Sequence, residues 1–467
     1  MKRTPKFYLA LLFARCTAFA LKLIGRKGTS MPGSWAIILC PDFIGRMPKP
    51  KKIIGITGTN GKTTVANMIE DVLEDNGVDF ICNRSGTNVN TGIASTLIAN
   101  SCFFGKPKCD LAVLELDERS SPRLYPYIQP DVLLCTNLFR DSCKRNAHAE
   151  YILDILNREI PASTHLILNA DDPLCSSICP ENNRVYYGID HLDTDKFVCD
   201  NIVNDVPVCP KCFGPLVHDV VRYHHIGRVH CENCGYRSPE PDYLATDIDL
   251  NKMEMAVKKD GKREIYPLPN GSVINIYNAL ATIAALRELG LTPEQIHTSL
   301  GTLRISETRY DEAAASNGKT VILHLAKAQN PIACSRAFEN VRNAPGRKSV
   351  ILLLDDRLDA AHTVENKAWL YDADFEFLND DSIKQLILVG KRHHDTCLRA
   401  LLAGIPESRI IHMPDEQGVI AALCEQTDTL FILYEMHSIP LAGKLRNDAL
   451  YSVWATAPHS GEARHEN

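Results

Sequence analysis

The run IIGITGTNGKTTVANM, residues 53–68, constrains the fold more than any other stretch of these 467 residues. A β-branched apolar run breaks at glycines and resumes as a helical pattern headed by Lys62, Thr63 and Thr64. Read locally, this is strand, phosphate loop and helix. The general loop G-x-x-x-x-G-K-[ST] has glycine where this chain has Ile56, with Gly55 and Gly58 nearby instead. The physics survives the shift. Gly58 and Gly61 let the backbone N–H groups around Thr59 and Asn60 face a polyphosphate. Lys62 adds a mobile cation, Thr63 offers a hydroxyl to Mg²⁺, and the helix points its positive end into the loop.

Downstream, strand and helix patterns alternate. DLAVLELD (110–117), DVLLCTNL (131–138) and THLILNADDP (164–173) read as buried parallel strands, which predicts a doubly wound α/β sheet. Ligands of such sheets sit beyond the carboxyl ends of the strands, where Thr59, Glu115, Asn137 and Asn169 project. A chain this long holds two or three domains. The expected parts are a helical N-terminal arm (1–48), a central ATPase domain (49–305), a C-terminal α/β domain (306–455) and a polar tail (456–467). A cysteine-rich insert interrupts the central domain at about residues 206–243, where the alternation stops.

That insert carries Cys209-Pro-Lys-Cys212 and Cys231-Glu-Asn-Cys234, two C-x-x-C pairs eighteen residues apart. The spacing is that of a Cys₄ zinc ribbon, structural because four thiolates leave no open position for water. His224, His225 and His230 between the pairs are then surplus and expected on the ribbon surface. The remaining cysteines among the seventeen lie mostly singly in apolar runs, as small hydrophobes of a reducing cytoplasm do. A net charge of −6 gives no footprint for nucleic acid. The apolar stretch 7–25 is interrupted by Arg15 and Lys22, so it reads as an amphipathic helix packed on the protein or resting at a membrane face, with a membrane anchor as the alternative.

The loop T-G-T-N-G-K-T-T resembles the ATP loop of the Mur ligase superfamily, which joins nitrogen nucleophiles to carboxylates through acyl phosphates. The resemblance implies ATP and Mg²⁺ as cofactors, with Lys62 and Glu115 catalytic and Thr63 and Glu115 on the metal. Asp141, in TNLFRD, stands where the superfamily has a further metal or substrate ligand. INIYNALA resembles the superfamily's adenine helix, which brings Asn275 and Asn278 to the nucleotide, and Arg309 of ETRYDE matches its phosphate-reaching arginine. LNADDP shapes a turn at the site.

With the ribbon added, the whole chain resembles the MurT family, the ATP-using subunits of lipid II isoglutaminyl synthase. The implied reaction amidates the D-glutamate α-carboxyl of lipid II, with ammonia from a GatD-like glutaminase on the C-terminal domain. The family's D-G-R-D-T-S-W stretch, whose second aspartate completes the glutaminase triad, is HTVENKAW (362–369) here. Asn366 takes the aspartate's place, and Asp359 is the nearby substitute. Two alternatives stay open: a divergent ligase using free ammonia or an amino acid, and a non-catalytic nucleotide-binding scaffold.

Overall fold

A computed structural model describes residues 1–26, 28–84, 87–140, 148–303, 310–355 and 367–456. The chain divides into two compact units, the larger from Met1–Phe139, His148–Asp200 and Asn204–Ile305. The larger opens with helices α1 (Pro5–Leu23), α2 (Met31–Leu39) and α3 (Phe43–Arg46). An alternating series follows: β1 (Lys52–Thr57), α4 (Lys62–Asp75), β2 (Phe80–Cys82), α5 (Asn90–Ala99) and β3 (Leu111–Glu115). Then come α6 (Ser121–Leu124), β4 (Val132–Cys135), α7 (Ala149–Glu159), β5 (His165–Asn169) and β6 (Arg184–Ile189). A hairpin of β7 (Val217–Tyr223) and β8 (Ile226–His230) precedes β9 (Tyr243–Asp249), β10 (Glu254–Lys259) and β11 (Lys262–Pro267). Helices α8 (Val273–Glu288) and α9 (Pro293–Thr302) complete the unit.

Nine strands form one sheet in the order β11-β10-β9-β6-β5-β4-β1-β3-β2. From β2 to β9 neighbours are parallel, and β10 and β11 add an antiparallel edge, so the sheet is mixed. Alternation along the central strands buries both faces. Ile53, Ala112, Leu114 and Leu133 share a core with Phe7, Ala10 and Leu11 of α1 and with Ile93 and Leu97 of α5. The opposite-facing Ile54, Ile56, Val113 and Leu134 are also buried, and α4 packs on β1 and β3 while α8 packs on β5 and β6. Gly77 and Gly290, with φ of +68° and +97°, sit just past the ends of α4 and α8, where only glycine takes a left-handed turn cheaply.

The N-terminal arm departs from the amphipathic reading. Its inner face is buried, but its outer face is apolar too, with Leu9, Leu12 and Phe19 more than half exposed. Among the described residues no helix is long and apolar enough to cross a membrane.

The second unit has a six-stranded sheet in the order β12-β13-β17-β14-β15-β16. These are β12 (Tyr310–Ala314), β13 (Thr320–Leu325), β14 (Lys348–Leu353), β15 (Ile383–Val389), β16 (Ile410–Met413) and β17 (Thr429–Tyr434). Only β12 runs antiparallel to its neighbour. Val350 and Leu352 of β14 face one core with Cys334, Phe338 and Trp369, while Ile351 and Leu353 face another with Ala442 and Leu445. Both faces of a parallel sheet are thereby covered, as in Rossmann-like folds.

Candidate active site

In the larger sheet β1 lies between β3 and β4, where the strand order turns back. Such a switch point opens a crevice beyond the strand ends, and here it receives the loop 58–61, Glu115 and Thr136-Asn137. Gly58 and Gly61 have φ of +118° and +86°. A Cβ on Gly58 would lie 2.2 Å from Thr136 Oγ1, and one on Gly61 would lie 2.4 Å from Asn278 Oδ1. Backbone conformation requires glycine at both positions, and at Gly58 the neighbouring backbone of Thr136 and Asn137 leaves no space for a Cβ either. Asn137 braces the loop: its Oδ1 accepts from Asn60 N (3.0 Å), its Nδ2 donates to Asn60 O (3.1 Å), and its carbonyl accepts from Thr59 N (2.8 Å). Thr136 Oγ1 donates to Asn60 O at 2.6 Å. Gly61→Ala is expected to weaken nucleotide binding at least ~tenfold, about 1.4 kcal/mol, by calorimetric titration with ATP. Unchanged affinity would remove this loop as the nucleotide cradle.

Lys62 opens α4, and its ammonium lies 2.8 Å from Glu118 Oε1 while also donating to the Gly58 carbonyl. Burial opposes the charge, yet Glu118, with Glu115 and Asp117 nearby, holds the Lys62 ammonium above the ordinary lysine range. Burial pushes the Glu118 carboxyl up, and Lys62 pulls against it. Neither Asp117 nor Glu118 merely solvates a strand end: both are buried, and Asp117 Oδ1 accepts from Ser120 N.

Thr63 Oγ1 donates to Glu115 Oε2 at 2.9 Å, and Asn88 Nδ2 donates to Oε1 at 3.0 Å. Asn83 fixes the Glu115 backbone, accepting from its N–H (2.9 Å) and donating to its carbonyl (3.0 Å). A carboxylate and a hydroxyl converging beside the phosphate loop form an oxygen donor set that fits Mg²⁺. Helix α8 brings Asn278 against Gly61, with Asn278 Nδ2 donating to Asn275 Oδ1 at 3.2 Å. Thr64 follows in the first turn of α4. Asp141, Arg309, Asp359 and Asn366 lie outside the described residues.

The acids of LNADDP hold structure. Asp172 accepts from the N–H groups of Leu138 (2.7 Å), Leu174 (2.9 Å) and Cys175 (3.1 Å). Asp171 Oδ2 accepts from Ile189 N (2.9 Å), Tyr277 OH (2.8 Å) and Arg222 Nη1 (3.0 Å). Arg222 belongs to β7, so the hairpin between the two cysteine pairs is tied into the core. The expected surface position of the histidines is corrected here. His224 and His225 are fully buried at the hairpin tip, with the His225 ring 4.4 Å from that of Phe139 and its Nε2 3.4 Å from Asp172 Oδ1. The tip turns inward because Arg222 and the Gly227 N–H, which donates to Asp171 O at 2.7 Å, both anchor on Asp171. His230 instead lies 2.8 Å from Asp219 near the surface.

The four cysteine sulfurs lie within 4.8 Å of one another, with Cys209–Cys234 at 3.6 Å and Cys212–Cys231 at 3.5 Å. Thiolates on a tetrahedral zinc stand about 3.8 Å apart, from Zn–S bonds of about 2.3 Å. Each C-x-x-C pair is closed by backbone: Phe213 N donates to Cys209 O (2.9 Å) and Gly235 N to Cys231 O (3.0 Å). In the second unit His393, His394 and His412 form another ligand-sized cluster, more open to solvent.

A glycine-rich loop leading into a helix at a parallel sheet's switch point, with Mg²⁺-type donors at the neighbouring strand end, is the arrangement of a P-loop nucleotide-binding fold. The Mur ligase middle domain model matches residues 56–205, and the MurT ligase C-terminal model matches residues 327–437. The fold is similar to that of a pseudomurein peptide ligase type C from Methanothermus fervidus, with a TM-score of 0.61 at 21% identity, over 88% of this chain and 80% of that one. The lipid II isoglutaminyl synthase (glutamine-hydrolyzing) subunit MurT of Streptococcus pneumoniae is 32% identical over 90% of this chain and 92% of its own. The Staphylococcus aureus subunit of the same name is 31% identical over 85% and 88%. The chain belongs to the MurT family of Mur ligases.

Proposed function

We propose that this chain is the ATP-using subunit of a lipid II isoglutaminyl synthase. A substrate carboxylate oxygen, that of the D-glutamate α-carboxyl, attacks the γ-phosphorus of ATP and ADP leaves. Ammonia then attacks the acyl phosphate carbonyl, phosphate leaves, and the amide remains. Mg²⁺ would neutralise phosphate charge in the first step. The chain's own residues orient and compensate: the loop N–H groups and Lys62 would hold phosphate oxygens, and Thr63 and Glu115, set by Asn83 and Asn88, would hold the metal. Asn275, Asn278 and Arg309 are assigned to the nucleotide, and Asp141 to the metal. The observation that carries the reading is the Lys62–Thr63–Glu115 constellation in a chain with a MurT-type C-terminal match.

In this reading the central part (49–305) performs the ATP chemistry and the C-terminal part (306–455) docks a GatD-like glutaminase, with Asn366 or Asp359 at the position facing its triad. The protein then works in the cytoplasm, and the four cysteines hold one structural Zn²⁺. The test is ATP-dependent amidation of lipid II read by mass spectrometry, with ammonium and with glutamine plus a candidate glutaminase. Product from glutamine supports the two-subunit reading, whereas product from ammonium alone retains the ligase and removes the coupling. ATP binding without product from either sinks the proposed acceptor. Glu115→Gln is expected to cut the amidation rate about 10²-fold or more, as loss of transition-state charge stabilisation does, with partial recovery at raised Mg²⁺. A rate insensitive to this change would take Glu115 off the metal.

A further inference from the structure

Helix α1 buries one side in the core and presents a second apolar side outward. Leu9, Leu12, Phe13, Phe19 and Leu23 are 63%, 53%, 45%, 65% and 71% exposed. At 100° per residue they fall within about 120° of the helix circumference, opposite the buried Phe7, Ala10 and Ala14. Neighbouring elements extend this face on both flanks. The Phe13 and Trp35 rings meet at 5.6 Å, joining it to the exposed Trp35 and Ile38 of α2. On the other flank Arg15 donates to the carbonyls of Phe103 (3.0 Å) and Cys102 (2.6 Å) and to Ser101 Oγ (3.0 Å). It thereby seats a loop whose Phe103 and Phe104 are 70% and 67% exposed.

The segment that carries this face is basic in sequence, and the first acid after it, Asp42, is paired with Arg46. Residues 1–41 hold Lys2, Arg3, Lys6, Arg15, Lys22, Arg26 and Lys27 and no aspartate or glutamate, in a chain whose net charge is −6. Large contiguous apolar surface marks an interaction site. A helix with exposed leucine and phenylalanine, bordered by lysine and arginine, lies in the plane of a bilayer and draws affinity from both apolar burial and anionic headgroups. A second copy laid on this face would set like charges against each other.

We propose that the outer face of α1, with Trp35 and Ile38 of α2 and the Phe103-Phe104 loop, docks flat on an anionic lipid bilayer. The position suits a membrane-held acceptor. Helix α5 starts two residues after Asn88, which holds Glu115, and ends beside the Ser101–Phe104 loop. Its ten residues span about 15 Å at the helical rise of about 1.5 Å per residue, joining the loop that positions Glu115 to the loop that carries Phe103 and Phe104. The docking surface does not depend on the ligase reading, because vesicle binding is measured without ATP or acceptor.

The full chain is sedimented with vesicles of phosphatidylcholine alone and of equimolar phosphatidylcholine and phosphatidylglycerol. Binding to the anionic vesicles is expected to be at least ~tenfold tighter and to weaken with salt. Leu12→Glu/Phe19→Glu and, separately, Phe103→Ser/Phe104→Ser should each reduce it about tenfold or more, with far-UV circular dichroism and ATP affinity unchanged. The loop pair keeps the test decisive if the helix pair fails to fold. Absence of binding to anionic vesicles, or binding by both variants equal to that of the unaltered chain, overturns the proposal. So does a lipid-free dimer in sedimentation velocity that the loop pair dissolves.

Discussion

Lys62→Met is expected to abolish ATP-dependent turnover and, separately, to destabilise the fold, and a second substitution pulls the two losses apart. Lys62 and Glu118 form a close ion pair in which the side chains are only 13% and 8% exposed. Removing one partner of such a pair strands the other charge and costs about 3–5 kcal/mol. Lys62→Met/Glu118→Gln removes both charges and should recover most of that loss, since a neutral replacement of a buried pair is often close to neutral in stability. Turnover should not recover. The ammonium that rests on Glu118 and the loop carbonyls is the one that phosphate oxygens compete for, and nothing in the double variant supplies its charge to the transferring phosphoryl group. A loss of about 10³-fold or more is the scale for such a stabilising group. Urea unfolding reads the first effect and product formation the second. Recovery of turnover together with stability would make Lys62 a structural residue and retire its catalytic role.

What local sequence could show follows from this pair. Phosphate loop, buried strands and helix stops are contiguous signals, and so are the two C-x-x-C pairs; each was legible because a few neighbouring residues carry the whole constraint. Glu118 was not, because its partner is 56 residues away in sequence and an acid after a strand looks the same whether it solvates or pairs. Asn83 and Asn88 were missed for a related reason: polar residues after β2 read as an ordinary loop, and only the fold returns them to Glu115. The one available signal was their density, in the run NRSGTNVNTG (83–92), beside a switch-point strand. The buried His224 and His225 show the opposite error. Their spacing between the cysteines suggested a ribbon surface, while Arg222, one residue before Tyr223, carried the long-range anchor that turns the hairpin tip inward. The apolar outer side of α1 was hidden by its length and its two cations, which suggested two-sidedness without showing that both sides are apolar.

The cysteine cluster leads to the second large effect, which reaches further than the ribbon. The protein as isolated is expected to contain one zinc per chain by elemental analysis, and Cys231→Ser/Cys234→Ser should lose it. Zinc affinity in such sites is folding free energy, so the melting temperature should fall with the metal. The loss should travel along β7 and β8, because the same hairpin delivers Arg222 to Asp171, a pair with fully buried side chains that also bonds Tyr277 of α8. That route makes a separate demand. Arg222→Met should keep the zinc, since no thiolate is touched, yet cost about 3 kcal/mol by leaving the buried Asp171 with only the longer Arg228 contact, 3.7 Å from its Oδ1. If the zinc acts through the hairpin, adding Arg222→Met to the cysteine pair should cost less than the two losses summed, as coupled sites do. Full additivity would confine the metal to stabilising the cysteine turns alone, and zinc retained by Cys231→Ser/Cys234→Ser would refute the four-thiolate site itself. The expected outcome is strong coupling, because the hairpin between the cysteine pairs meets the larger sheet at the buried Asp171 and Asp172.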